Sequence, residues 1–222
     1  NYVLKVRDRE HTPLILKLGM PGADFINEIR VTKVYKGASF ARLYQYDERD
    51  GVMLLERLEP GYMLSEVKSE EQIIYHYIDI WKALRTPVKA SFPSMKSWFD
   101  ELQVYLEKYS KDDSLIPHTL VKNAQCYAQE LFETTSGEEL LHGDLHHYNI
   151  LYDEERGWCA IDPKGVIGDS YFDFVAFLFN ELHMKEQPHS LLKWRIDKLC
   201  TVLELDKSRL IKAAIALLTV QT

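Results

Sequence analysis

Cysteine is scarce in this chain: Cys126, Cys159 and Cys200 are the only three in 222 residues, far apart and odd in number. No CxxC pair suggests a cysteine zinc site. Cys159 and Cys200 sit in apolar stretches that suit reduced, buried thiols, so a reducing cytoplasm is the expected compartment. No apolar run approaches the length of a membrane span, and nothing resembles a secretory signal. An excess of positive charge is missing too, since 27 Lys and Arg against 34 Asp and Glu leave a formal charge of -7. That balance argues against nucleic acid, whose phosphates need a basic face. It suits a cationic small molecule, although a mildly acidic surface is also that of an ordinary soluble protein. Internal repeats and low-complexity tracts are absent. So are ordinary ends: the chain opens mid-strand on Asn1-Tyr2-Val3 and closes on the uncapped apolar run Ile215-Ala216-Leu217-Leu218.

What is present is enough for a real core. With 46% apolar residues and dispersed charge, 222 residues suit one large domain or two small lobes. Residues 2–7 and 12–18 read as a strand hairpin around the polar turn Asp8-Arg9-Glu10-His11. Gly19-Met20-Pro21-Gly22 breaks it, and residues 24–36 read as a helix with Phe25, Ile29 and Val34 among its apolar positions. Residues 41–46 and 52–58 form a second hairpin, and Glu59-Pro60-Gly61 is the expected turn and inter-lobe hinge. Beyond it the pattern is helical, with Ser65 as a partial N-cap signal and a broad stripe of Ile73, Ile74, Tyr77, Ile78, Trp81 and Leu84 stopping before Pro87. Further helices are expected over 94–109, 119–132, 171–182, 191–203 and 208–218. The expected class is α+β: a small β-rich lobe over 1–60 and a larger helical lobe over 61–222.

The chemistry concentrates in His142-Gly143-Asp144-Leu145-His146-His147-Tyr148-Asn149, with Ile161-Asp162 following after a turn and a strand. Phosphoryl transfer needs a base in line with an acceptor hydroxyl and cations on the phosphates. Asp144 is the candidate base. Asn149 and Asp162 are candidate magnesium ligands, hard oxygen donors for a hard cation, and the Asn adds no further negative charge. Singly, each also reads as a turn residue. Lys17 weighs against that bland reading, because an ammonium inside Leu14-Ile15-Leu16-Lys17-Leu18 is costly without a partner. Glu28, on the next helix, is placed to supply one, as in kinases.

The string from Leu141 to Leu151, with Gly157-Trp158 and Ala160-Ile161-Asp162-Pro163-Lys164-Gly165, resembles the aminoglycoside phosphotransferase family, a branch of the protein-kinase-like fold. Within it, the sequence is most similar to the streptomycin 6-phosphotransferase and hydroxyurea phosphotransferase branch. The resemblance implies a two-lobed ATP- and Mg2+-dependent kinase. In it Asp144 is the base, Asn149 and Asp162 hold magnesium, and Lys17 with Glu28 grips the phosphates. The backbone of Glu56 and Leu58 meets the nucleotide base, and Asp173 supports the catalytic loop. It implies a small acceptor, first a streptomycin-type aminoglycoside, with hydroxyurea, a sugar amine, homoserine or choline as others. Family members carry a first strand and a phosphate-covering loop ahead of the segment starting at Asn1 and continue past Thr222. The chain therefore reads as a fragment, or else as a degraded relative with impaired nucleotide binding.

Two rival readings use the same residues. His142, Asp144, His146 and His147 could bind zinc for a metal-dependent hydrolase, which leaves Lys17, Glu28 and Asp162 unexplained. A kinase-like module could instead bind without transferring phosphate. Asp169 and Glu181 read as surface acids or acceptor-pocket liners. Lys164 serves a phosphate, an anionic acceptor or a nearby acid. Oligomeric state leaves no trace in the sequence.

Overall fold

In a computed structural model of the chain, residues 2–37, 39–86, 91–109 and 114–221 are described. The chain divides into two units, Asn1–Thr86 with His142–Gly165 and Pro87–Leu141 with Val166–Thr222. The boundary expected at residue 60 falls inside the first unit, because the chain beyond it pairs with the segment after residue 142.

The first unit opens with the two expected hairpins. Strands β1 (Tyr2–Arg7), β2 (Pro13–Leu18), β3 (Leu43–Asp47) and β4 (Val52–Glu56) form an antiparallel sheet in the order β1-β2-β4-β3. Helix α1 (Ala23–Tyr35) buries Phe25 and Ile29 against Met53. The Glu59-Pro60-Gly61 turn does not simply end there. Pro60–Met63 continues as β5, which pairs with β7 (Ile150–Asp153), and β7 pairs with β8 (Gly157–Ala160). Ser65 does not cap the next helix. Glu66 closes a single 3-10 turn by accepting from the Met63 N–H at 2.7 Å, and α2 (Glu70–Leu84) starts only after Ser69. Ser69 wins because its hydroxyl meets the Gln72 N–H, and Glu70 and Glu71 put negative charge on the positive helix end. Pro87, the expected stop, lies outside the described residues.

The second unit is mainly helical. Helices α3 (Lys96–Lys108), α4 (His118–Thr134), α5 (Asp173–Phe179), α6 (Pro188–Leu203) and α7 (Lys207–Gln221) accompany a two-stranded sheet of β6 (Glu139–Leu141) and β9 (Val166–Gly168). Its core includes Phe99, Leu131, Phe172 and Leu217, with the Phe99, Phe132 and Phe172 rings 5.4–5.7 Å apart. Arg195 is its one fully buried cation among the described residues. It donates to the carbonyls of Phe177, Leu178 and Asn180 at 3.0–3.3 Å, closing the C-terminus of α5 where the helix dipole favours positive charge.

Candidate functional site

All seven sequence-selected residues fall in the first unit. Strand β2 runs between β1 and β4, with Lys17 opposite Val3 and Met53. Only 3% of Lys17 is exposed. Its Nζ donates to Glu28 Oε1 and to Asp162 Oδ1, each at 2.6 Å. The first bond was readable from the sequence; the second, across 145 positions, was not. Burial depresses the ammonium, but the carboxylates of Glu28 and Asp162 outweigh it and hold Lys17 above its ordinary pKa. Burial pushes the Glu28 carboxyl up, with Lys17 pulling the other way. One cation is thus shared by two acids.

The β7–β8 ladder brings Asn149 and Asp162 to one end. Ile150 pairs with Ala160, and the Ile161 N–H donates to the Asn149 carbonyl at 2.9 Å. Asp162 has φ 57°, a left-handed conformation rare for a non-glycine residue and costing on the order of 1–3 kcal/mol. Flanking bonds hold it there. The N–H groups of Lys164 and Gly165 both donate to the His142 carbonyl, at 2.8 and 3.1 Å.

His142 organises the loop that carries Asp144. It is fully buried; its Nε2 donates to the Ile161 carbonyl at 2.9 Å, and its Nδ1 accepts from the Asp144 N–H at 3.2 Å. Asn149 Nδ2 donates to the Asp144 carbonyl at 2.9 Å. The Asp144 carboxylate itself is looser, 3.6 Å from His146 Nε2 and 3.7 Å from Lys164 Nζ. Burial lowers the His146 pKa, against the pull of the Asp144 carboxylate.

Burial lowers the His142 pKa from 6.5 to about 4. A depressed folded-state pKa means that the unfolded chain takes up the proton first. Stability present above pH 6.5 is therefore lost as pH falls towards 4. From this group the expected loss between pH 7 and pH 5 is about 2 kcal/mol, measurable by urea unfolding at the two values. A His142→Gln variant with the same pH slope as the parent would refute the assignment.

A cavity of about 340 Å³ adjoins this cluster. Ile15, Leu55, Leu151 and Ile161 give it apolar walls, and Lys17, Glu28 and Asp162 line it as well. Glu56 and Leu58 line it too, but the Glu56 N–H is taken by the Arg42 carbonyl at 2.8 Å. The Glu56 carboxylate is held by the guanidinium of Arg156, which also bonds the carbonyls of Gly37 and Phe40. Sequence reasoning missed Arg156, which looks like an ordinary charge in the hairpin turn between β7 and β8. It also missed Asn27.

The donor chemistry suits a magnesium nucleotide. The Asn149 amide nitrogen is committed to Asp144, which leaves its oxygen as the donor to a cation. Half-exposed Asp162 has its second oxygen beyond Lys17. The zinc alternative fails on geometry. Both ring nitrogens of His142 are engaged, and no three His, Cys, Asp or Glu side chains among the described residues could hold a metal. Asp169 is buried against Arg209, and Glu181 pairs with Lys185 at 3.6 Å, so both have structural partners. Asp173 is buried in the first turn of α5.

Fold and site together define a small-molecule phosphotransferase of the protein-kinase-like class. Residues 1–221 match the family described as aminoglycoside/hydroxyurea antibiotic resistance kinase, and the chain belongs to that family. It is 28% identical over 213 residues to a streptomycin 6-kinase of Streptomyces griseus, covering 93% of this chain and 69% of that one. Identity to the hydroxyurea phosphotransferase of Kitasatospora aureofaciens is 30% over 213 residues, covering 93% and 60%. The chain therefore spans about three fifths of that second relative's length. Among solved structures it is similar to aminoglycoside phosphotransferase APH(3'')-Id of Streptomyces rimosus in complex with ADP and streptomycin. The TM-score is 0.67 at 15% identity, over 96% of this chain and 91% of that one. Choline kinase LicA of Streptococcus pneumoniae gives 0.58 at 13%, over 88% and 74%. At such identities the likeness concerns the fold. No helix among the described residues is long and apolar enough to cross a membrane.

Proposed function

We propose that the protein transfers the γ-phosphoryl group of Mg-ATP to a hydroxyl of a streptomycin-type aminoglycoside. The observation carrying the nucleotide part is Lys17 bonded to both Glu28 and Asp162 beside an apolar-walled cavity. Asp144 orients the acceptor hydroxyl and takes its proton as the oxygen attacks phosphorus and the bond to the ADP oxygen breaks. Lys17, braced by Glu28, holds phosphate oxygens, while the backbone of Glu56 and Leu58 borders the base. Magnesium, held by Asn149 and Asp162, supplies charge neutralisation on the phosphates. The streptomycin assignment rests on the 28% identity to a streptomycin 6-kinase and on the chain's acidic balance, which suits a cationic acceptor. Hydroxyurea is the second reading, favoured by 30% identity to its phosphotransferase. Three unpaired cysteines, one of them fully buried, suit a cytoplasmic setting.

A transfer assay on the protein tests this, using Mg-ATP with streptomycin, other aminoglycosides, hydroxyurea and small amino alcohols. Phosphorylation of streptomycin is the expected result. Phosphorylation of hydroxyurea alone selects the second reading, and failure to bind Mg-ATP overturns both.

A further inference from the structure

Asn27 stands one residue before Glu28 on α1 and is 6% exposed. Its Nδ2 donates to two successive carbonyls, Lys164 at 2.5 Å and Gly165 at 2.7 Å. Its Oδ1 is buried without a hydrogen-bond partner among the described residues, which costs stability. Packing alone favours an apolar side chain at such a place, so the amide is explained by what its nitrogen holds. A second contact is steric. Gly165 has φ 67°, and a Cβ there would stand 1.9 Å from Val31 Cγ2, one turn further along the same helix. The backbone after Asp162 thus lies on α1 with no room for a side chain, fixed by its carbonyls to Asn27 and by its N–H groups to His142.

We propose that Asn27 is a positioning residue that docks the 162–165 loop on α1. The helix that carries Glu28 to Lys17 thereby also sets the carboxylate of Asp162, and the Lys17–Glu28–Asp162 constellation forms as a unit. The metal part of this inference rests on the reading of Asp162 as a magnesium ligand. Without Asn27, the carbonyls of Lys164 and Gly165 lose their anchor, and Asp162 is free to leave its left-handed conformation. The Lys17–Glu28 pair needs only β2 and α1 and stays in place.

The test compares the parent with Asn27→Leu, Gly165→Ala and Gly165→Ala/Val31→Ala. ATP affinity is measured by calorimetry in Mg2+ and in EDTA, and amide exchange at Lys164 and Gly165 is followed in the metal-free protein. In Asn27→Leu, affinity in Mg2+ is expected to fall about 10–100-fold, as for other groups that orient metal ligands, while affinity in EDTA is unchanged. Exchange at both amides quickens. Gly165→Ala behaves alike, and adding Val31→Ala recovers part of the loss by removing the Cγ2 clash, while the strain of φ 67° and the 3.1 Å approach to Val31 Cβ remain. Equal losses with and without Mg2+, or no relief from Val31→Ala, overturn the proposal and leave Asn27 a packing residue. Should Asn27→Leu fail to fold, the Gly165 pair decides. Should the parent not bind Mg-ATP, the functional reading falls, and the exchange rates alone decide whether Asn27 docks the loop.

Discussion

Replacing Asp144 with alanine is expected to lower turnover by about two to four orders of magnitude while leaving Mg-ATP affinity nearly unchanged. Three observations lead there. The carboxylate is not an anchor of its loop: its contacts to His146 and Lys164, 3.6 and 3.7 Å, are longer than hydrogen bonds. The backbone of Asp144 is held independently, its N–H by His142 and its carbonyl by Asn149, so alanine keeps the loop in place. Asp144 also lies outside the lining of the cavity that carries Lys17 and Asp162. Loss of a part-buried but weakly held carboxylate costs little stability, on the order of 0–1 kcal/mol. In the proposed reaction, what it removes is the group that aligns the acceptor hydroxyl and receives its proton. Asp144→Asn separates the two tasks, since the amide oxygen still accepts a hydrogen bond but cannot take the proton under these conditions. A smaller loss for Asn than for Ala measures the share due to alignment. Initial rates and calorimetric ATP titrations on both variants give the result. A parallel collapse of nucleotide binding would move Asp144 from base to a structural or metal-binding role.

How much of this was legible before folding depends on the distance in sequence over which each interaction acts. The two hairpins and α1 were readable because turn residues and periodicity are local signals, and each element starts within two residues of its expected position. Lys17 and Glu28 were readable as a pair because a lone ammonium in an apolar strand demands a nearby carboxylate. Its second carboxylate, Asp162, carried no such local signal. The start of α2 was misplaced from Ser69 to Ser65, since either serine can cap and only the Glu66 side chain folding back on Met63 excludes the earlier one. Asn27 and Arg156 were missed for a common reason. Each bonds backbone carbonyls far away in sequence, Asn27 to Lys164 and Gly165, Arg156 to Gly37 and Phe40, and a carbonyl partner leaves no residue type to recognise. Long-range side-chain to backbone bonds are where the unread part of this site lies.

Replacing Lys17 with methionine is expected to destabilise the protein by about 3–5 kcal/mol at pH 7 and to abolish useful nucleotide affinity, because it breaks a buried ion pair by removing one partner. Methionine fits the volume of the lysine stem, so the loss is electrostatic rather than a packing defect. Of the two acids left behind, Asp162 has a half-exposed side chain and can turn to water, whereas Glu28 is enclosed. Burial already raises the Glu28 pKa, and Lys17 is what opposes it. Without the lysine the folded-state pKa rises further above that of the unfolded chain. A raised folded-state pKa means that the penalty grows as pH climbs through it and shrinks as the carboxyl protonates. The stability gap between parent and variant therefore narrows from pH 7 to pH 5, a comparison in which the His142 contribution cancels. Adding Glu28→Gln removes the orphan charge and restores much of the stability at pH 7, yet nucleotide affinity is expected to stay low because the cation proposed to hold the phosphates is still missing. Urea unfolding at both pH values, with ATP titrations of the single and double variants, separates the two effects. A Lys17→Met protein as stable as its parent at pH 7, with no narrowing at pH 5, would mean that the ammonium reaches water in solution and that Glu28 does not depend on it.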